Sequence, residues 1–455
     1  MQTFIDAATY GFSPEATGLK NAEALQQALD EGGTITVSRP GTYKLARTVY
    51  IGSYTTLVFG NQVFVHKTDE EGPFSHVILN KGALTKIYDE HITIENLHIH
   101  VNGMDVRTFS DVFGLHGQLA FFYVKDLRIE RFRCMDLGKM QYGIQICTFE
   151  DLHIRDVIIK GDKDGVHLGR GKRFHIINGI FETYDDAVAL NAHDYDVGNP
   201  ELGWIEDGVV ENCHDLARSF TNNDGVGYFC RILAGAWRDW EPEMKVQKSD
   251  TVVSKGRLYR VKACPDAAVY VSYTQPVHKQ GIVELDGIQW AMIQEDVTYT
   301  AGVRNVTFRD IYLRKARIGF SIHFDNDRFS RSYYPGSPVP GQEQLVFENI
   351  RVLHDHKVPF LSANTPIDRI TLLHCSFRNS PITIHGNGAM EDYRPTFISV
   401  IGCIFNHEGT LEWIENSVAN KRIKVKAYAS VKMNDAATLQ IVPGPGMIEV
   451  DLDIY

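Results

Sequence analysis

GDKDGVHLG (residues 161–169) and ETYDDAVALN (residues 182–191) contain short apolar runs that begin at Gly165 and Ala187, 22 positions apart. If one coil of a solenoid has that length, the two runs stack as neighbouring parallel strands. Asp164 and Asp186 then lie one above the other, about 5 Å apart, with Asp185 beside them. Gathering three carboxylates costs stability through like-charge repulsion, so the pattern indicates a chemical use.

A degenerate repeat extends this pattern along the chain. Segments such as ITIENLHI, TFEDLHI, VTFRDIYL and LVFENIRV place a polar or small residue at a central bend between alternating apolar residues. Most bends are 25–39 residues apart, with one gap of 103 residues. Helical crossovers of an α/β sheet would not fit between them, so we predict an all-β, right-handed parallel β-helix. The predicted bends are Asn96, Asp126, Asp151, Asn178, Asp207, Asp310, Asn349, His374 and Gly402.

Three segments follow from this pattern. Residues 1–236 contain an N-terminal capping helix, predicted at about 21–31 with Ala22, Leu25, Ala28 and Leu29 on one face, and the first part of the β-helix. Residues 237–298 break the repeat and predict a small inserted β domain. Its Tyr259 and Trp290 would either form a core or stack on sugar rings. Residues 299–455 contain the remaining coils and a C-terminal cap.

Composition narrows the function classes. The formal net charge of −11 argues against nucleic acid as a partner, and no apolar run is long enough to span a membrane. No secretion signal is visible, so we expect a cytoplasmic protein, or a secreted one if a signal was removed. The seven cysteines form no paired motif and predict buried free thiols. We expect no metal and no cofactor, and assembly as a homo-oligomer stays open.

Aligned second strands begin at Tyr142, Asp164, Asp186, Asp224 and Ile318. The second and third resemble motifs of polygalacturonase-type (family 28) glycoside hydrolases, within the pectin-lyase-like β-helix superfamily. The resemblance implies that Asp164, Asp185 and Asp186 are catalytic. It implies inverting acid–base hydrolysis, in which Asp185 is the general acid and the other two carboxylates deprotonate water. Strict strand alternation would turn Asp185 inward, so the pair must sit at a turn-to-strand junction.

Two departures from the family pattern bear on the substrate. The Gly-His-Gly of the third coil aligns with Asn223-Asp224-Gly225, and the Arg-Ile-Lys of the fourth aligns with Ser321-Ile322-His323. Because the cations that select a uronic acid are absent there, we expect a neutral or differently charged sugar, not polygalacturonate. Candidate substrate-binding residues near these motifs are His167, His193, Asp224, Arg231, His323, Asp325 and Arg328.

Three function classes remain open. The first is a glycoside hydrolase that cleaves a plant or microbial oligosaccharide or polysaccharide. The second is a polysaccharide lyase on the same scaffold, and the third is a noncatalytic glycan-binding β-helix. All three predict carbohydrate as the partner. Loop aromatics at Trp237, Trp240, Tyr333 and Tyr334 are candidates for sugar contacts, although packing explains them equally well.

Overall fold

The computed structural model describes residues 4–106, 112–194, 198–217, 227–264, 269–325, 331–339, 341–385, 394–418, 421–442 and 447–454. Two compact units make up the chain. The first consists of Met1–Ala189, Glu206–Cys230 and Phe308–Arg317, and the second of Leu190–Ile205, Arg231–Thr307 and Ile318–Tyr455. This division does not follow the three segments expected from the sequence, because the chain passes between the units several times.

Strands dominate the structure. There is one α-helix, Gly18–Asp30, and there are two 3₁₀ helices, Ala7–Tyr10 and Lys81–Leu84, among the described residues. The strands up to residue 191 are Phe4–Asp6, Gly33–Val37, Gly41–Leu45, Val49–Ile51, Thr55–Phe59, Val63–Lys67, Ile78–Asn80, Asp89–Glu95, His98–His100, Gly117–Glu130, Arg133–Leu137, Tyr142–Arg155, Ile158–Gly161, Val166–Leu168, Gly171–Ile177, Ile180–Thr183 and Val188–Asn191.

The strands of the central part are Ile205–Asp215, Cys230–Leu233, Gly235–Ala236, Arg238–Asp239, Met244–Val246, Thr251–Ser254, Arg257–Ala263, Tyr270–Ser272, Ile282–Leu285, Ile288–Gln294, Thr300–Ala301 and Val303–Leu313. The last strands are Phe320–His323, Glu343–Glu348, Arg351–Val352, Leu361–Ala363, Arg369–Leu373, Ser376–Arg378, Ile382–Ile384, Thr396–Ile401, Ile404–Asn406, Thr410–Asn416, Arg422–Lys432, Thr438–Val442 and Met447–Ile454.

In the first unit, each coil contributes to three columns of parallel strands. The first half of Tyr142–Arg155 pairs with Val166–Leu168, and its second half pairs with Gly171–Ile177. The next strand, Ile158–Gly161, pairs with Ile180–Thr183. All three pairings are offset by 22 residues, so the coil length read from the acidic motifs is correct. The chain therefore folds as a right-handed parallel β-helix.

The predicted bends all have left-handed backbone, with φ between +49° and +61°. They do not form a single column, however. In the first unit, His91, Asp126, Asp151 and Arg173 align in one column, and Asn96, Arg131, Asp156 and Asn178 align in another, five residues further along. The sequence pattern mixed the two columns because alternating apolar residues flank both bends. Side chains also bond along a column, as where Asn178 Nδ2 donates to Asp156 Oδ1 at 2.7 Å.

The N-terminal helix caps the first coils as expected. Thr17 accepts a hydrogen bond from the Lys20 amide, and Leu25 on the apolar face is 1% exposed. The helix begins three residues before the predicted start, because Thr17 supplies the N-cap. Asn21 Nδ2 donates to the carbonyl of Lys44 at 3.0 Å, which ties the helix to the strand Gly41–Leu45.

In the second unit, stacked coils share an aromatic core. Phe320, Phe347, Phe360, Phe377 and Phe405 follow one another with ring centroids 4.7–5.6 Å apart. Each ring buries a large apolar area, and the ladder holds successive coils in register. Phe405 in turn contacts Trp413, at 4.7 Å.

Residues 238–294 of the second unit form a separate five-stranded, mostly antiparallel sheet. Tyr259 and Trp290 are fully buried in its own core, together with Val252, Val261 and Ile288. The two aromatic rings therefore pack within the inserted segment and present no face to a ligand. The sheet contacts a neighbouring loop through Arg331, whose Nε donates to Asp250 Oδ1 at 2.6 Å.

All seven cysteines are free thiols, and six of them are buried, as the sequence predicts. Burial raises the pKa of Cys134 and of Cys213 to about 12. Within the described residues, no helix has both the length and the apolarity needed to cross a membrane.

Candidate active site

The three aspartates of the motif meet at one point of the first unit. The Gly165 amide donates to the Asp186 carbonyl at 2.9 Å, and the Val166 amide donates to the Ala187 carbonyl at 3.0 Å. This ladder sets Asp164 directly beside Asp186 on the neighbouring coil. One carboxylate oxygen from each of Asp164, Asp185 and Asp186 lies within 4.8 Å of the other two.

Asp185 joins the cluster because it lies outside the strands. The strand Ile180–Thr183 ends before it, and the next strand starts at Val188, so strand alternation does not govern its direction. The Asp185 carbonyl accepts hydrogen bonds from Thr183 Oγ1 at 2.9 Å and from Arg317 Nη1 at 2.7 Å. The turn-to-strand junction that the sequence required is present.

Arg317 anchors this turn. Its guanidinium forms a buried ion pair with Asp215, at 3.0 Å to Oδ2 and 2.7 Å to Oδ1. Both side chains are almost fully buried. Sequence reasoning missed this pair, since Arg317 lies 132 residues from Asp185 and belongs to no motif. Only the coil register brings the two segments together.

Close packing fixes the backbone under the acids. A Cβ atom at Gly227 would lie 2.4 Å from the Asp185 carbonyl carbon and 2.6 Å from the Asp186 amide nitrogen. The following residue, Tyr228, donates its amide to Asp186 Oδ1 at 2.8 Å. The stretch around Gly227 therefore holds the acidic turn from below.

This packing corrects the alignment of the third coil. The strand expected to begin at Asp224 is Cys230–Leu233 instead, and Tyr228 aligns with Asp186. The chain reaches the strand later than predicted because Gly227 must first pass the acidic turn. Asp224 lies outside the described residues, as does Arg328.

The three carboxylates differ in exposure. The Asp164 side chain is 4% exposed, whereas that of Asp185 is 25% exposed. Asp164 Oδ2 pairs with His167 Nδ1 at 2.9 Å, and the imidazole stacks on Tyr142 with a centroid distance of 4.0 Å. His167 is fully buried, so it positions Asp164 and does not face solvent. Asp185 is the acid best placed to meet a ligand.

A lysine that the sequence prediction did not consider completes the cluster. Lys163 Nζ contacts Asp185 Oδ2 directly and lies 3.7 Å from Asp164 Oδ1. Its ammonium is also 5.6 Å from the centroid of the Tyr142 ring. Oxygen ligands this close could hold a cation, and Lys163 supplies positive charge at that point. Its place between Asp162 and Asp164 in the motif was the available signal.

Arg231, His323 and Asp325 form a second polar cluster, all within the second unit. Arg231 Nη2 donates to both carboxylate oxygens of Asp325 at 2.7 and 2.8 Å, and Arg231 Nε donates to His323 Nε2 at 3.2 Å. Since Nε2 accepts, Nδ1 carries the proton and donates to Ser321 Oγ at 2.9 Å. Burial alone would raise the pKa of Asp325, but Arg231 and His323 outweigh it, and the pKa is lowered.

His193 stands apart from that polar cluster. Its side chain is buried near Trp237, with ring centroids 6.0 Å apart. Burial, reinforced by the nearby charge of Arg260, lowers the pKa of His193 to about 3. The imidazole is therefore neutral at physiological pH, and its position resembles that of a core residue.

Comparison with known proteins supports the fold. No protein-family model and no curated protein matches the sequence. Among solved structures, a mutant tailspike protein of E. coli bacteriophage HK620 in complex with a pentasaccharide is similar. It has 12% identity and a TM-score of 0.53, and the match covers 95% of this chain and 67% of the tailspike.

Two further structures are similar at lower scores. The family 28 exopolygalacturonase of Yersinia enterocolitica has 10% identity and a TM-score of 0.49, with 100% of this chain and 79% of that one covered. The surface adhesin PfbA of Streptococcus pneumoniae has 13% identity and a TM-score of 0.47, with 96% and 93% covered.

Coil geometry and the tailspike similarity together define the class of this chain. It is a right-handed parallel β-helix protein. Within that class, the acidic cluster of the first unit is the feature from which a more particular function can be argued.

Proposed function

We propose that this protein is a glycoside hydrolase whose catalytic carboxylates are Asp164, Asp185 and Asp186. The observation that carries the proposal is their convergence from two successive coils, with oxygens within 4.8 Å of one another. Such an arrangement is costly for folding, and the surrounding structure maintains it through Arg317, Gly227 and His167. The tailspike with the same fold was solved with a pentasaccharide bound, which makes a glycan a suitable ligand class.

In the proposed reaction, Asp185 is the general acid because it is the most exposed of the three. Its proton passes to the glycosidic oxygen as the bond from that oxygen to the anomeric carbon breaks. Water attacks the same carbon from the opposite face and gives its proton to Asp164 or Asp186. Exchange with solvent then restores the starting protonation.

Carboxylate spacing bears on the stereochemistry. The nearest oxygens are closer than the roughly 6.5–9.5 Å that separates the carboxyl groups of most inverting enzymes. One water that donates to two of these oxygens at about 2.8 Å each still fits between them. This supports an activated water and hence inversion. Proton NMR of the first-formed anomer tests the point, and retention of configuration would rule out this mechanism.

A neutral sugar is the proposed substrate. The cations near the candidate residues are already engaged by protein carboxylates: Lys163 by Asp185, and Arg231 by Asp325. A substrate carboxylate would have to displace one of these pairs. Galacturonan cleaved faster than neutral glycosides would contradict this part of the proposal.

Screening chromogenic glycosides and plant oligosaccharides with the wild type and the Asp185→Asn variant tests the hydrolase. Loss of a general acid typically costs 10²- to 10⁴-fold, so we expect turnover to fall by about that factor. Asp69→Asn is a matched control, since Asp69 is an exposed carboxylate of the first unit. Equal activity in wild type and Asp185→Asn would refute the proposal.

Lys163 favours a second candidate, a polysaccharide lyase. An ammonium among carboxylates could neutralise a uronate and serve as a base after deprotonation. Lyases leave an unsaturated product that absorbs ultraviolet light, whereas hydrolysis releases reducing ends without that absorbance. A rise in absorbance on uronate polymers, abolished by Lys163→Met, would favour the lyase over the hydrolase.

A further inference from the structure

The second unit contains a pocket of about 250 Å³ that includes none of the acidic residues discussed above. It lies where several strands begin. Trp204 immediately precedes the strand Ile205–Asp215, Glu343 starts the strand Glu343–Glu348, and Asp368 immediately precedes Arg369–Leu373. Arg394 closes the lining shortly before the strand Thr396–Ile401.

The lining combines apolar surface with hydrogen-bonding groups. Trp204, Pro366 and Ile367 provide apolar contact area, while Glu343, Asp368 and Arg394 bring charged groups. Arg304 lies 3.8 Å from Glu343, so a guanidinium offsets one of the two carboxylates. The remaining Asp368 and Arg394 carry opposite charges. Carboxylate acceptors and a guanidinium donor therefore face the same space at nearly balanced charge.

This chemistry selects among ligand classes. A hydroxyl group both donates and accepts hydrogen bonds, so a polyhydroxylated ring can use carboxylates and a guanidinium together. A phosphate or sulfate would meet two carboxylates, and a purely apolar ligand would leave the charges desolvated. The volume equals that of about eight water molecules at roughly 30 Å³ each. A single sugar ring fits this space, and a longer chain does not.

The position of the indole is built into the backbone. Arg304 stacks on Trp204, with its guanidinium carbon 4.8 Å from the ring centroid. A Cβ atom at Gly302 would lie 3.0 Å from the indole and 2.4 Å from the Gly341 carbonyl oxygen. Glycine is therefore needed at 302 for the indole to rest in this place. The two contacts fix the aromatic wall of the pocket before any ligand arrives.

We propose that this pocket, which we call the Trp204 pocket, binds one neutral sugar unit of a glycan, separately from the acidic cluster. Trp204 supplies the apolar contact, and Glu343, Asp368 and Arg394 bond to ring hydroxyls. Loop aromatics that the sequence singled out do not compete for this role, since Trp237 and Tyr333 are buried.

Fluorine NMR tests the proposal directly. The chain has five tryptophans, so the full-length protein labelled with 5-fluorotryptophan gives one resonance for each. Asp185→Asn is the background, which prevents turnover during the measurement. D-glucose, D-galactose, D-xylose and their methyl glycosides are titrated in turn. We expect one resonance to shift saturably with at least one of these sugars, and expect that resonance to be absent from Trp204→Phe.

Further variants separate binding from folding. Glu343→Gln and Asp368→Asn should each weaken the dissociation constant about 3- to 10-fold, the usual loss for one hydrogen bond. Gly302→Ala should weaken it as well, because the new methyl group pushes the indole. Tyr273→Ala is the control, since Tyr273 is an exposed aromatic of the same unit, and it should bind as the background does. Far-UV circular dichroism checks that each variant folds.

Two results would overturn the proposal. One is that none of these sugars shifts any tryptophan resonance up to high millimolar concentration. The other is that the shifting resonance persists in Trp204→Phe. Neither result bears on hydrolysis, which is measured on other residues by product formation. Failure of the proposed hydrolase likewise leaves the NMR titration intact.

Discussion

At the scale of single residues, Lys163 is the side chain that most changes the view of the acidic cluster. Its ammonium touches Asp185 and approaches Asp164, so one positive charge is shared by two of the three proposed catalytic carboxylates. An opposite charge at this distance favours the ionised form of a carboxylate. Lys163 is thus a positioning residue that sets the charge balance of the cluster.

Replacing Lys163 by methionine removes that charge and keeps the volume similar. We expect the pH–activity profile to move to higher pH, since the carboxylates lose a neighbour that favours their ionisation. The profile is measured as kcat/KM between pH 4 and 9, with Lys163→Arg as the variant that retains the charge. A profile that keeps its position in Lys163→Met would show that the ammonium has only a packing role.

Arg231 offers a second test at this scale, on stability. Asp325 is buried and its pKa lies below the ordinary value of 3.8, so its pairing stabilises the fold above that value. The contribution is lost as the pH falls through the lowered pKa. Arg231→Leu leaves a buried charge without its partner, which typically costs about 3–5 kcal/mol. We expect that loss in the urea midpoint at pH 7.

The same variant should be penalised less in acid. Without Arg231, burial raises the pKa of Asp325, and protonation near pH 4–5 then removes the uncompensated charge. Arg231→Leu combined with Asp325→Leu is the matched control, because an apolar pair leaves no charge behind. A destabilisation of equal size at pH 7 and pH 4.5 would contradict this account.

At the scale of elements, the turn before the strand Val188–Asn191 depends on the segment packed beneath it. Gly227→Ala introduces a methyl group into the Asp185–Asp186 backbone, and we expect activity to fall at least 10-fold with a stability loss of about 1–3 kcal/mol. Gly72→Ala is the control, since Gly72 also belongs to the first unit but has open space around it. Full activity in Gly227→Ala would show that the turn tolerates displacement.

Much of the element structure could be predicted from the sequence. The capping helix, the coil length and the left-handed bends follow from apolar spacing and from Asn, Asp or Gly at fixed positions. The assignment of Asn96 and Asp126 to one column was wrong, because both bends of a coil have the same flanking pattern. The late start of the strand Cys230–Leu233 was equally hidden, since it is set by contact between Gly227 and a distant turn.

The site was predictable only in part, for the same reason. Asp164, Asp185 and Asp186 belong to local motifs, and regular coils bring local motifs together. Arg317, Tyr228 and Trp204 carry no motif, and their contacts depend on how many residues the intervening loops contain. Alternating apolar residues specify strands well, but they do not specify the length of a loop between strands.

At the scale of the whole molecule, burial of the thiols predicts low reactivity. Burial raises the pKa of six cysteines above the ordinary value, although Cys403 is lowered by its contact with Cys375. Because the thiolate is the reactive form, we expect an aromatic disulfide reagent to modify at most one thiol quickly in native buffer. All seven should react in guanidinium chloride. Cys264, the partly exposed one, is the expected early site.

The uniform spacing of 22 residues in three columns has an evolutionary corollary. Duplicating or excising one such period would return every following strand to an equivalent neighbour, so a genetic change of 66 nucleotides is structurally quiet there. A change of any other length shifts inward-pointing side chains out of phase and disrupts the interior. Lineages carrying this architecture can therefore lengthen or shorten a groove in whole steps while its chemistry is inherited intact.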